Sequence, residues 1–89
     1  MAFHRCAIHD ASGTVVARDV AVSIEETTRA GAASWYATIT ATDVAGLTAG
    51  QRYRIILDDG RTGEFRVRRN TVAGESGRAV AIDGTGPLT

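Results

Sequence analysis

The sequence predicts an all-β fold: six antiparallel strands in a small barrel or roll, a meander with a long, bulged second strand. Three observations predict it. Val, Ile and Thr supply 25 of the 89 residues, whereas Leu appears three times. β-Branched side chains lose χ1 freedom in a helix and pack well on a pleated surface. Apolar residues recur with a period of two in several segments, and none carries a sustained 3.6-residue stripe. Gly-, Asp- and Asn-containing turns separate these segments at intervals of about 8–15 residues, the rhythm of a small all-β domain.

The first strand is expected over Phe3 to His9, with Cys6 and Ile8 inward. A four-residue turn, Asp10-Ala11-Ser12-Gly13, sets Ile8 opposite Val15 and Cys6 opposite Ala17. The second strand covers residues 14–25 and changes phase: Val15 and Ala17 share one parity, Val20, Val22 and Ile24 the other. A bulge at Arg18-Asp19 restores the inward face and bends the strand, as closure into a barrel requires. The third strand runs from Ser34 to Thr42, with Trp35, Ala37, Ile39 and Ala41 on one face and Tyr36, Thr38, Thr40 and Thr42 on the other.

Residues 51–69 form a hairpin, and parity chooses its loop. A two-residue Asp59-Gly60 turn would pair Leu57 with Thr62 and Arg54 with Phe65, setting core against solvent. A three-residue loop, Asp58-Asp59-Gly60, pairs Tyr53 with Phe65, Ile55 with Gly63 and Arg54 with Glu64. It also puts Gly60 at the left-handed position of a type I turn plus bulge. The last strand is Arg78 to Asp83, with Val80 and Ile82 inward. Segments 26–33, 43–50 and 70–77 are expected as connections. Asp43-Val44-Ala45-Gly46-Leu47 suits one helical turn, with Leu47 plugging a barrel end. The domain is expected over 1–84, and 85–89 as an extended C-terminal tail.

Eighty-nine residues make one domain and bury about 60–65% of the surface of the unfolded chain, enough for one modest core. Ten Arg against ten acidic residues give a net charge of zero, which supplies no overall steering toward a polyanion. One Cys excludes an internal disulfide. No apolar run approaches ~18 residues, so no helical membrane span is expected. The residues Met1 to Cys6 lack the apolar core of a signal peptide. A cytoplasmic location is the expectation.

Several pairs invite chemistry. His4 and Cys6 share a strand face and could bridge a metal, but His9 has the opposite parity and no second ligand cluster follows. Structural zinc needs four ligands and catalytic zinc three; no metal and no cofactor are expected. Cys6 with His4 is also the minimum for a thiol enzyme, yet Cys6 points inward and nothing beside it lowers a thiolate pKa. Ser12, Ser23, Ser34 and Ser76 lie outside any nucleophile-elbow pattern. The adjacent Asp58-Asp59 serves the turn before Gly60. Gly84-Thr85-Gly86 is too short for a phosphate loop and no helix follows it. Catalysis is not expected.

The arginines carry the functional contrast. Residues 1–45 hold three Arg and five acidic residues, net −2; residues 46–89 hold seven and five, net +2. Arg52, Arg54, Arg66 and Arg68 share the outward face of the hairpin, with Glu64 among them. Arg52 faces Arg66 in the expected register, which is destabilising unless an anion or a carboxylate intervenes. The expected function is a non-enzymatic binding or assembly module acting through self-association or a protein partner, with Trp35, Tyr36 and Ile56 as interface residues. The alternative is anion or single-stranded nucleic-acid binding on Arg52, Arg54, Arg66 and Arg68. Nucleic acid is the less favoured partner, because Tyr53 and Phe65 face the core and no aromatic stands between the arginines of the hairpin.

Two sequence patterns bear on kinship. The signature of the PilZ barrels that bind cyclic dinucleotides, Arg-x-x-x-Arg then Asp/Asn-x-Ser-x-x-Gly, is not met. Residues 66–69 read Arg-Val-Arg-Arg, and Asp10-Ala11-Ser12 continues as Gly13-Thr14-Val15. Residues 35–88 carry Trp35-x-Ala37-x-Ile39, Leu47-x-x-Gly50-x-x-Tyr53, Asp59-Gly60-Arg61-x-Gly63 and Gly84-x-Gly86-Pro87-Leu88. In these the chain resembles small bacterial β-barrel proteins of no assigned activity. The resemblance implies the fold and a bacterial source; a composition rich in Ala, Arg and Gly and free of Lys points to a GC-rich bacterial genome and bears on the source alone.

Overall fold

A computed structural model describes residues 2–29, 31–41, 44, 46–72, 74 and 77–89. Six antiparallel strands close into a barrel: β1 (Ala2–Asp10), β2 (Val15–Arg29), β3 (Ala32–Ala41), β4 (Arg52–Leu57), β5 (Thr62–Val72) and β6 (Arg78–Gly84). No helix occurs among the described residues. The strand order around the ring is β1-β2-β3-β6-β5-β4, so the expected meander is broken once. Two three-stranded meanders face each other, and the β3–β4 connection crosses one end of the barrel.

The β1–β2 and β4–β5 hairpins use the same kind of turn. In the second, Leu57 N–H donates to Arg61 O (2.8 Å) and Gly60 N–H to Leu57 O (3.0 Å), with Gly60 at φ 92°. The three-residue loop and its pairings, Tyr53 with Phe65 and Ile55 with Gly63, are as the parity argument required. The first hairpin repeats the geometry: Asp10 N–H donates to Thr14 O (2.9 Å), Gly13 N–H to Asp10 O (3.0 Å), and Gly13 has φ 89°. The expected four-residue loop is therefore corrected. His9 pairs Val15, Ile8 pairs Ala17 and Cys6 pairs Val20. Two extra residues on β2 absorb the mismatch. Val16 becomes half-buried while Val15 is exposed, and the Arg18-Asp19 bulge forms with Asp19 at φ 51°. Asp tolerates this left-handed conformation better than most residues.

Further corrections concern strand length. Of the segment 26–33 expected as a connection, residues 26–29 and 32–33 are strand, because β2 and β3 stay paired out to Arg29 and Ala32. This arm overruns the barrel, so no opposing sheet demands apolar alternation and the sequence signal fades. Thr27 and Ser34 hydroxyls bond across it at 2.8 Å. β5 likewise continues through Asn70 to Val72, paired with β6. In the β3–β4 connection, Asp43 and Ala45 of the expected helical turn lie outside the described residues. A turn with Leu47 N–H donating to Val44 O (3.1 Å) stands there, and both side chains are buried.

The core is apolar throughout, with no buried polar or charged residue among those described. An aromatic column runs through it: Trp35 meets Phe65 edge-on (centroids 6.4 Å) and Phe65 stacks on Tyr53 (5.8 Å). Trp35, expected at an interface, is 3% exposed and belongs to this column. Its indole lies against Gly84, and Nε1 donates to Gly86 O (2.9 Å). The tail is anchored as well as extended: Thr62 and Thr89 exchange two backbone hydrogen bonds (2.8 and 2.9 Å) and Leu88 packs against the core.

Candidate functional site

The turn at Asp58-Asp59-Gly60 decides which residues of β4 and β5 face outward. It pairs Arg52 with Arg66 and Arg54 with Glu64 on the outer surface. Because β6 lies between β5 and β3, the row continues: Arg66 is opposite Asp83, Asp83 opposite Tyr36, and Tyr36 opposite Glu25. A bulge between Val67 and Arg69 brings Arg68 to the same Asp83. The fold thus joins Arg52, Arg66, Arg68 and Tyr36, which the sequence presented as two unrelated groups, into one row over five strands.

The carboxylates of this face are already engaged. Arg54 Nη2 donates to Glu64 Oε1 at 3.0 Å. Arg68 grips Asp83 with two parallel hydrogen bonds, Nε to Oδ2 at 2.9 Å and Nη2 to Oδ1. That pair holds the Arg68 guanidinium above its ordinary pKa, through the hydrogen bond first and the charge of Asp83 second. Arg52 and Arg66 face one another, and neither has a carboxylate within ion-pair distance among the described residues. A shallow cavity of about 200 Å³ opens beside Arg52, lined also by Arg54, Tyr53, Glu64, Asp10 and Ala11. Its acid Asp10 is committed to its own turn, where Oδ1 accepts from Ser12 Oγ (2.6 Å), Ser12 N (2.9 Å) and Thr14 N (3.0 Å). These bonds, the Ser12 hydroxyl foremost, lower the Asp10 pKa.

Of the expected interface residues, Tyr36 is 45% exposed and Ile56 is half-buried between Ala7 and Thr62. Trp35 is withdrawn to the core.

A second polar cluster closes the other end of the β4–β5 hairpin. His4 Nδ1 lies 2.9 Å from Asp58 Oδ1, which lowers the Asp58 pKa. Arg61 ties the turn to the β2–β3 arm: Nε to Asp59 (2.9 Å), Nη1 to Glu26 (2.8 Å) and Nη2 toward His4 Nε2 (3.5 Å). With both imidazole nitrogens engaged, by Asp58 and by Arg61, this is a bracing network. The pairing of His4 with Cys6 does not form a ligand set; His4 turns to Asp58, and burial pushes the Cys6 thiol up to about 12. Among the described residues no three His, Cys, Asp or Glu gather as a metal group.

Sequence reasoning missed Asn70. Its Nδ2 donates to Val44 O (3.0 Å) and Leu47 O (2.7 Å), while Oδ1 accepts from Arg78 Nε (2.6 Å). Tyr53 completes the seam by accepting from Thr48 N (2.9 Å). The only sequence signal was a lone Asn after an alternating strand.

Comparison of this chain with family models, with curated proteins and with solved structures gave no match.

Proposed function

We propose that this barrel is a non-catalytic binding module that engages an anionic group of a partner, carboxylate or phosphate, between Arg52 and Arg66. One observation carries the reading: Arg52 and Arg66 are opposed in register while the outward carboxylates of β5 and β6, Glu64 and Asp83, are occupied by Arg54 and Arg68. Like charges directly opposite destabilise a sheet, so an anion between them relieves a cost the free protein carries. Guanidinium suits bidentate capture of either oxyanion. For self-association, Trp35 lies in the core and Ile56 is half-buried, which leaves Tyr36 of the expected residues, with Phe3, Val15 and Val72 as the other exposed large apolar side chains among those described. A single unpaired and buried cysteine is in keeping with the reducing cytoplasm, and no described helix is long and apolar enough to cross a membrane.

Anisotropy of a labelled octaglutamate peptide and calorimetry with tripolyphosphate test the reading at low salt. The full chain should bind at least one of them, and added salt should weaken the complex. Arg52→Gln/Arg66→Gln should abolish binding. Equal binding by the double variant and the parent, or none by the parent, refutes it.

A further inference from the structure

We infer that the anion held by Arg52 and Arg66 is the backbone phosphate of a short single-stranded nucleic acid whose amino-bearing base stacks on Tyr36. The inference rests on the anion reading and adds the ligand class. Its basis is the order of groups along one row of the outer surface. Arg52 and Arg66 stand at one end, the Asp83–Arg68 pair in the middle, and Tyr36 with Glu25 at the other. The hairpin alone has no exposed aromatic beside its arginines. The crossover that inserts β6 between β5 and β3 supplies one, since Tyr36 is 45% exposed.

Strand spacing sets the scale. At ~4.8 Å per strand, the path along the curved outer surface from Tyr36 is two strands or about 10 Å to Arg66 and three strands or about 14 Å to Arg52. The base and phosphate of neighbouring nucleotides reach across such a separation. Charge order discriminates between ligands. An acidic peptide is anionic along its length and would carry carboxylates past Tyr36 onto Glu25. A nucleotide strand is anionic at the phosphate and neutral at the base. An exocyclic amine, as on cytosine or adenine, gives Glu25 a donor to accept from, whereas thymine presents O4, an acceptor. Asp83 does not repel the backbone, because Arg68 neutralises it with two hydrogen bonds.

The test is anisotropy of labelled dC8, dT8 and octaglutamate on the 89-residue chain at low salt. Two phosphate contacts on a single strand give a slope of log K against log salt of about −1.4, and Arg66→Ala should reduce it by about 0.7. Tyr36→Ala should weaken dC8 about tenfold, the scale of one lost base stack, and Tyr36→Phe should restore it. Glu25→Gln should erode the preference for dC8 over dT8. If octaglutamate binds as tightly as dC8 and Tyr36→Ala changes neither, the nucleic-acid inference falls while the anion reading stands. If dC8 fails to bind but tripolyphosphate binds in an Arg66-dependent way, the result is the same. If no anion responds to Arg52 and Arg66, both fall.

Discussion

Adding one methyl group at Gly84 should unseat the only tryptophan. A Cβ built there would lie 2.2 Å from Trp35 Nε1, 2.4 Å from Cε2 and 2.5 Å from Cδ1. These atoms belong to a rigid fused ring that is 3% exposed, packed edge-on against Phe65 and bonded through Nε1 to Gly86 O. A ring so placed cannot rotate aside as the end of a lysine would. Gly84→Ala therefore overpacks the core, at about 1–3 kcal/mol, and breaks the indole hydrogen bond, at about 1 kcal/mol. The expected loss is about 2–4 kcal/mol, which for a domain of this size lowers Tm by about 10–30 °C. Urea unfolding followed by Trp35 emission measures both effects: the midpoint should fall at constant m, and the native spectrum should shift red as the indole meets water. Gly86→Ala is the control. Nothing lies within 4 Å of a Cβ at that position, so its stability should stay within about 0.5 kcal/mol of the parent. Parental stability with an unshifted native spectrum in Gly84→Ala would refute the packing argument.

Other perturbations have equally definite signs. Asn70→Ala orphans the carbonyls of Val44 and Leu47 and should cost about 2–3 kcal/mol in urea unfolding; Asn70→Asp, which turns an acceptor toward both, should cost no less at neutral pH and recover part of the loss in acid. Arg52→Gln should raise stability by about 0.2–1 kcal/mol by relieving its opposition to Arg66, while weakening anion binding; a loss of stability would contradict that opposition. The Cys6 thiol, raised by burial to about 12, should resist disulfide reagents in the native state at pH 8 and react once unfolded. Because its folded pKa exceeds the unfolded value near 8.5, its contribution is intact below about pH 8.5 and lost as pH rises toward about 12; Cys6→Ala should show a shallower alkaline decline, and an identical one would refute the assignment.

Much of the fold was legible because most strands bury one face, and burial writes a period of two into the sequence. Tyr53, Ile55 and Leu57 against Gly63, Phe65 and Val67 fixed a register as well as two strands, since only a three-residue loop keeps both sets inside. The same logic, applied to Ile8 and the residues after Gly13, would have required an odd loop and an extra residue on β2; Val15 and Val16 are both apolar, so parity there was ambiguous. The β2–β3 arm was invisible because it faces no opposing sheet. The ring order was invisible for a different reason: nothing local in β3 or β6 says which strand will lie beside which. The site suffered most from this. Arg52, Arg54, Arg66 and Arg68 could be grouped from one hairpin, but Tyr36 joins them only through β6, and the partners that silence Arg54 and Arg68 depend on a register and a bulge.

The ring order also fixes when the protein can become a barrel. β1 pairs with β4, with Cys6 opposite Leu57, and β3 with β6, with Ile39 opposite Val80. Both seams join chain segments roughly half the protein apart. Residues 2–41 can form a three-stranded sheet by local hairpins, but its inner face of Ile8, Val22, Ile24 and Ile39 stays bare until the second sheet arrives. Such non-local closure places folding in the slow, millisecond-to-second range. During synthesis the first half is an adhesive surface with two open edges, and the second half is the first partner that this protein must bind.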